Sequence, residues 1–188
     1  SKLEVSGTKA IIFYPTKALS NDQTSRIISL LYDVNKNLKA SGKKEKITVG
    51  LSHSDVPKSD NALDWQMYFG NGVPLRCPVK DCPGFLAAVE HTKVRCGECA
   101  EELDFVILFQ EPNFGILPDI LITNPDKLQW DMIYKPDHHG IFGREIVCCK
   151  QCYQGSAMLG KMGRGKCDSC KCNKFELKKP EPPRFIVF

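Results

Sequence analysis

The strongest constraint on the fold is an apolar run that leads directly into a proline and a helix-start pattern. Residues 10–14 are aliphatic or aromatic at every position, which is typical of a strand covered on both faces in a parallel sheet. Pro15 ends this run, and Ser20 with Gln23 forms a capping-box pattern that predicts the start of a helix. Gly42 is expected to follow the helix cap. The apolar positions of this predicted helix are Ile27, Leu31, Val34 and Leu38.

Three later segments also have the pattern of strands. Residues 47–51 alternate between apolar and polar side chains, whereas residues 119–123 and 184–188 are mainly apolar runs, which predicts buried strands. Asn124 and Pro125 suit the N-cap and the first residue of a second helix. Residues 105–109 fit either another strand of the main sheet or the last strand of a hairpin formed by the cysteine-containing segment that precedes them, residues 77–99. The predicted fold class is α/β with a parallel sheet.

The loops after parallel strands share one edge of a sheet, where helix N-termini attract phosphate. Thr16, Lys17 and Ser20 lie in the first of these loops, and Thr123 directly precedes the second predicted helix. Two helix N-termini on neighbouring strands would offer phosphate sites along a groove, which suits contact with a nucleic-acid backbone. His53 is expected to be an exposed loop histidine and is assigned no role.

The ten cysteines occur mostly in close pairs, which in a chain without a secretion signal favours metal binding over the alternative of disulfides. Cys77-x4-Cys82 and Cys96-x2-Cys99 are separated by thirteen residues. This spacing lets four sulfurs meet one Zn²⁺ at about 2.3 Å. Residues 76–109 contain four Lys/Arg and six Asp/Glu, so we expect this zinc ribbon to be structural and any partner of it to be a protein.

A second set of cysteines predicts a second zinc ribbon and therefore two zinc ions in total. Its members are Cys149, Cys152, Cys167 and Cys170. Cys148 and Cys172 are spare by spacing, and either could replace its neighbour as a ligand. Residues 150–179 contain eight Lys/Arg and two Asp/Glu, and a basic loop held by a metal site can follow a phosphate backbone. The candidate nucleic-acid contacts there are Lys161, Arg164 and Lys166. The alternative is a solvated basic face that offsets the thiolate charge.

The net charge of +4 does not by itself indicate nucleic acid, because eight thiolates on two Zn²⁺ ions would reduce it to about zero. No window approaches the roughly 18 consecutive apolar residues of a membrane span, and the N-terminus has no signal-peptide pattern. We therefore expect a cytoplasmic protein without a membrane partner. Because residue 1 is Ser rather than Met, we expect a segment of a longer parent protein.

Two segments carry a family resemblance. Residues 14–19 (YPTKAL) with 21–23 (NDQ) resemble motif Ia of superfamily 2 helicases, in the form found in DEAD/DEAH-box enzymes related to bacterial helicases with a C-terminal zinc-containing domain. Residues 118–128, which include TNPDKL, are similar to the strand and Thr-x-Pro motif that precede motif II. The implied organisation is a RecA-like part at 1–55, an insertion with the first ribbon at 56–115, a RecA-like part at 116–143, the second ribbon at 144–179 and a return strand at 180–188.

The resemblance implies a nucleic-acid-binding part of an ATP-dependent helicase, with DNA favoured over RNA as the partner. It assigns backbone contacts to Thr16, Lys17 and Thr123, and to Gly50 as the glycine of a loop. The chain contains neither a Gly-x-x-x-x-Gly-Lys-Ser/Thr loop nor an Asp-Glu-x-x motif, so we do not expect it to hydrolyse ATP alone. ATP and magnesium, an upstream phosphate loop and an Asp-Glu-Ala-His sequence after Phe188 are expected in the parent. The alternative function is a non-catalytic zinc-ribbon module that binds a protein.

Overall fold

The computed structural model describes residues 7–56, 75–90, 93–108, 117–134, 141–143, 146–151, 155–156 and 171–188. The strands in these ranges are β1 (Ala10–Phe13), β2 (Val49–Ser52), β3 (Leu86–Glu90), β4 (Lys93–Cys96), β5 (Glu102–Leu103), β6 (Val106–Ile107), β7 (Ile120–Thr123), β8 (Ile146–Cys149), β9 (Gly155–Ser156), β10 (Phe175–Lys178) and β11 (Phe185–Val187). The helices in the same ranges are α1 (Lys17–Ala40) and α2 (Pro125–Tyr134).

A five-stranded sheet in the order β11-β1-β7-β2-β6 forms the centre of the fold. Its strand pairings are all parallel, which confirms the predicted α/β class. The run at 105–109 contributes β6 to this sheet and not to the cysteine hairpin. Successive residues of β1 and β7 are apolar because they face two different clusters, with Ile12 and Ile122 on one side and Ile11 and Leu121 on the other.

Helix α1 begins at Lys17, earlier than the capping-box pattern predicts. Thr16 is the N-cap, and its Oγ1 accepts a hydrogen bond of 3.2 Å from the Leu19 N–H. Ser20 lies inside the first turn, is fully buried, and donates a 3.0 Å hydrogen bond to the Thr16 carbonyl. The predicted start at Ser20 is therefore wrong, because Thr16 offers the same cap chemistry immediately after Pro15.

The end of α1 confirms the prediction for Gly42. Gly42 has φ +75°, and its N–H donates to the Lys39 carbonyl at 3.0 Å. The Lys43 N–H donates to the Leu38 carbonyl at 3.1 Å. These two bonds form a Schellman motif, in which glycine adopts the left-handed conformation without steric cost. The buried face of α1 consists of Ser20, Asn21, Thr24, Ile28 and Leu31, so Leu31 is buried as predicted whereas Ile27, Val34 and Leu38 are only partly covered.

Helix α2 begins as predicted. The Asn124 side-chain Oδ1 accepts a 2.8 Å hydrogen bond from the Lys127 N–H, and Pro125 is the first helical residue. Leu128 packs against the cluster on the face of the sheet opposite α1, whereas Trp130 is largely exposed. Neither of the two described helices is long and apolar enough to cross a membrane.

Each of the two small antiparallel sheets has a cysteine at the end of its central strand. Cys96 ends the central strand of the sheet β3-β4-β5, and Cys149 ends the central strand of the sheet β10-β8-β9. Leu86 and Val94 of the first small sheet belong to the same hydrophobic cluster as Ile28 of α1 and Val49 of β2. The small sheet β3-β4-β5 with its four cysteines, called the first cysteine hairpin below, therefore packs on the α1 side of the main sheet and shares its core.

The final predicted strand is present as β11, paired in parallel with β1. The sequence predicted a buried strand, but Phe185, Ile186 and Val187 are 65%, 52% and 49% exposed. The burial prediction is wrong because β11 lies at the edge of the sheet. Phe188 stacks on Phe13 with ring centroids 5.0 Å apart, which attaches the end of this segment to β1.

Candidate metal centre and candidate ligand face

Four cysteine side chains converge beside the first small sheet. The Sγ atoms of Cys77, Cys82, Cys96 and Cys99 all lie within 4.8 Å of one another. The Cys77–Cys99 and Cys82–Cys96 sulfur separations are 3.6 and 3.7 Å. A tetrahedral zinc site with Zn–S bonds of about 2.3 Å requires sulfur separations of about 3.8 Å. The cluster is thus positioned to hold a metal ion and is compatible with zinc, and the four cysteines that the spacing grouped together do converge.

Two tight turns bring the cysteine pairs together. Asp81, before Cys82, has φ +60°, and Ala100, after Cys99, has φ +59°. The Cys77 N–H donates to the Gly84 carbonyl at 2.9 Å, which closes the first turn against β3. A Cβ atom at Gly84 would overlap the Cys96 sulfur, so only glycine leaves room for the sulfurs to meet at this position.

The backbone also prepares one cysteine for ionisation. Burial opposes the thiolate form of Cys96, but N–H groups of Cys99 and Glu98 and the neighbouring thiols outweigh it and lower the Cys96 pKa to about 7. The Glu98 N–H donates to the Cys96 sulfur at 3.4 Å. At Cys77, burial raises the pKa of the thiol. A metal ion entering this cluster must therefore displace protons, and its affinity falls as the pH is lowered.

The described part of the second cysteine set repeats one feature of the first. Cys149 is fully buried, and its sulfur accepts a 3.4 Å hydrogen bond from the N–H of Gln151, two residues later. Cys96 and Glu98 have the same relation. The Lys174 N–H donates to the Cys172 sulfur at 3.2 Å. The other predicted members of this set and its basic loop lie outside the described residues, namely Cys152, Cys167, Cys170, Lys161, Arg164 and Lys166.

The carboxyl edge of the main sheet brings three loops side by side. The Tyr14 N–H at the end of β1 donates to the Thr123 carbonyl at the end of β7, at 3.1 Å. The Thr123 hydroxyl in turn donates to the Ser52 carbonyl at the end of β2, at 2.8 Å. Because α1 and α2 begin directly after β1 and β7, their two N-termini lie on adjacent strands, as the sequence predicted.

The predicted contact residues at this edge differ in accessibility. Thr16 is exposed, and Lys17 forms a 2.5 Å ion pair with Asp55, in which the two side chains are 41% and 46% exposed. Ser20 and Thr123 are buried, and their hydroxyl groups donate to backbone carbonyls of this edge. Gly50 lies within β2 and not in a loop, contrary to prediction, because β2 begins at Val49. A Cβ atom there would come within 2.7 Å of Pro118.

His53 is a residue of this edge that the sequence analysis missed. The His53 side chain is fully buried, whereas the sequence led us to expect an exposed loop histidine. Its Nδ1 accepts a 3.3 Å hydrogen bond from the Asp55 N–H, so Nε2 carries the proton and donates to Asn21 Oδ1 at 2.8 Å. Burial is the main cause that lowers the His53 pKa to about 4. The alternation of Val49 and Leu51 continues to His53 and was the signal that placed it on a buried face.

Comparison with known proteins adds no assignment to this geometry. The chain matches no protein-family model, and no curated protein sequence is significantly similar to it.

Proposed function

We propose that the carboxyl edge of the sheet binds the phosphate backbone of single-stranded nucleic acid, DNA in preference to RNA, as part of the first motor domain of a DEAD/DEAH-box helicase. The observation that carries this proposal is the pair of capped helix N-termini on the adjacent strands β1 and β7. Helix N-termini attract anions through unpaired N–H groups and the helix dipole. Two such sites side by side suit successive phosphates.

Thr16 and Lys17 are the proposed contacts at the first helix, and Asp55 regulates Lys17. In the free protein the Lys17 ammonium is neutralised by Asp55 at 2.5 Å. Binding a phosphate at Lys17 then requires exchange of one anionic partner for another, which weakens the interaction. In the proposed function Ser20 and Thr123 position the two loops, and Lys161, Arg164 and Lys166 extend the basic surface along the strand.

We further propose that both cysteine sets bind zinc, giving two ions per chain. The support for the first ion is the sulfur geometry around Cys96, and the support for the second is the matching N–H to sulfur bond at Cys149. In both sets the metal would have a structural role, because all four ligands in a closed site are thiolates and no position remains for a substrate.

Nucleic-acid binding is tested by fluorescence anisotropy with a labelled single-stranded oligodeoxynucleotide over a range of salt concentrations. Lys17→Gln should weaken binding and reduce the slope of log affinity against log salt by about 0.7, the amount expected for one phosphate contact on a single strand. Asp55→Asn should strengthen binding because it frees Lys17. Lys80→Gln removes an exposed lysine from the first ribbon and serves as the matched control. If both Lys17→Gln and Asp55→Asn leave binding unchanged, this edge is not the interface, and the protein-binding alternative is favoured.

Zinc stoichiometry is tested by elemental analysis of protein purified without added metal. The expected content is two zinc ions per chain, with one lost in Cys96→Ser and the other lost in Cys149→Ser. If the wild type contains one zinc ion and Cys149→Ser contains the same amount, the second zinc site is refuted and the first is retained.

A further inference from the structure

A groove of about 820 Å³ lies at the opposite end of the main sheet from the proposed nucleic-acid face. Helix α1 runs antiparallel to the strands, so its last turns and the loop that follows lie at the amino edge. At about 1.5 Å per residue the helix separates this groove from Lys17 by roughly 30 Å. One wall is formed by the end of α1 and residues 43–46, and the other by residues 101–105, which include β5 and lead from the first cysteine hairpin into β6.

The first wall carries five lysines and one acid, Glu45. Four of its ammonium groups have no carboxylate partner among the residues that the structure describes, and they belong to Lys36, Lys39, Lys43 and Lys44. Lys36 lies over the ring of Tyr32, with its Nζ 5.8 Å from the ring centroid. These positive charges are therefore free to meet a ligand.

Two of the three carboxylates of the facing wall form ion pairs, and the third accepts a hydrogen bond. Glu102 pairs with Lys93 and Arg95 on β4. Asp104 pairs with Lys46 at 2.7 Å. Glu101 accepts a 3.1 Å hydrogen bond from the Tyr32 hydroxyl. Glu101 and Glu45, which lies on the first wall, keep their charges, because neither forms an ion pair among the described residues. Set against the four unpaired ammonium groups, these two carboxylates leave the groove with an excess of two positive charges.

Helix capping explains only part of this charge. Lys39 is the basic residue in the last turn of α1, where it interacts favourably with the helix dipole. Lys43 and Lys44 follow the helix cap, so the dipole does not account for them. Asn35 holds the far end of their loop through two hydrogen bonds to the backbone of Ile47, of 2.8 and 2.9 Å. The loop is thus fixed with its lysines beside the groove.

We propose that this groove binds a small ligand with two or more adjacent phosphate groups. Its volume lies within the range of about 300–1,000 Å³ that is typical of small-molecule sites. Lysine ammonium groups bind phosphate oxygens as mobile point charges, and several of them around one groove favour a compact polyanion over a single phosphate. A long nucleic-acid strand fits less well, because these lysines surround one groove, whereas a strand needs positive charges that continue along its backbone.

The test is isothermal titration calorimetry of the zinc-loaded protein in magnesium-free buffer, with inorganic tripolyphosphate as the probe. We expect saturable binding that is weakened about tenfold or more when Lys39, Lys43 and Lys44 are changed together to Gln. The same three positions changed to Arg should retain binding, because the charge is kept. The matched control changes three exposed lysines elsewhere to Gln, with little effect expected. These control lysines are Lys80, Lys174 and Lys179.

Two further probes identify the ligand. Orthophosphate should bind much more weakly than tripolyphosphate, because it reaches fewer lysines at once. A nucleoside triphosphate that binds more tightly than tripolyphosphate would support the proposal and assign part of the groove to the nucleoside. Equal affinity would support the proposal with the phosphates alone as the recognised group.

Three outcomes would overturn the proposal. Tripolyphosphate could fail to bind, or the control variant could lose as much affinity as the groove variant, which would indicate diffuse attraction to net charge. The groove variant could also weaken oligodeoxynucleotide binding while leaving tripolyphosphate unchanged, which would identify a nucleic-acid surface instead. The proposal does not depend on the carboxyl edge, whose own test uses Lys17 and Asp55.

Discussion

Acidification should destabilise this protein through His53. The imidazole is fully buried and bound as the neutral form between Asn21 and Asp55. Its pKa is lowered from 6.5 to about 4 by burial. A base whose pKa is lower in the folded state than in the unfolded state contributes its full stabilisation when the pH is above the unfolded-state pKa of 6.5. This stabilisation is lost as the pH falls toward 4. With these two values, the loss amounts to about 2 kcal/mol at pH ~5.

The assay is urea unfolding followed by circular dichroism at about pH 7.5 and about pH 5, for the wild type and for His53→Gln. Glutamine keeps a donor near Asn21 but does not titrate, so its packing cost is similar at both pH values. Protonation of the cysteine ligands destabilises both proteins equally and cancels in the difference. Between the two pH values the wild type should lose about 2 kcal/mol more than the variant. A difference that stays constant to within about 0.5 kcal/mol would refute the inferred neutral, buried imidazole.

Other predictions concern packing, capping and the metal centre. Gly84→Ala should abolish metal binding at the first cysteine cluster, measured as zinc content, because the added Cβ overlaps the Cys96 sulfur. Retention of the metal would mean that the turn can move. Gly50→Ala should lower the free energy of unfolding by about 1–3 kcal/mol, because the new methyl group lies against Pro118 in a filled core; an unchanged urea midpoint would contradict this. Asn124→Ala should cost about 1 kcal/mol by removing the α2 cap, and Asn124→Asp, which keeps the acceptor, is the control for the same unfolding measurement.

Local chemistry made several elements predictable from sequence. Residues 10–14 and 120–122 are continuous apolar runs, and such runs are favoured where both faces of a parallel strand are covered. Gly42 marks the end of α1 because a residue without Cβ adopts the left-handed conformation without cost. Asn124 marks the start of α2 because its side chain accepts the capping hydrogen bond. The cysteine spacing likewise predicted that four sulfurs of the first set converge, because two short turns restrict the positions that the sulfurs can reach. These residues are Cys77, Cys82, Cys96 and Cys99.

Tertiary structure decided the rest. The start of α1 at Lys17, with Thr16 as the N-cap, depended on competition between two capping residues, which sequence alone does not rank. The burial of Ser20 and His53, and the pairing of Lys17 with Asp55, arise where separate loops meet at one edge. The exposure of β11 follows from its place at the edge of the sheet, which an apolar run does not reveal.

The basic groove has the same origin. Its two walls come from the end of α1 and from the first cysteine hairpin, which are about sixty residues apart in the chain. Along the sequence the lysines at 43–46 have the pattern of a solvated charged loop. Only the packing of the hairpin onto the α1 face of the sheet makes these charges one wall of a cavity. Periodicity and local spacing therefore determined the elements. Long-range packing determined that the end of α1 and the first cysteine hairpin share a site, because local sequence patterns do not specify how these two segments pack.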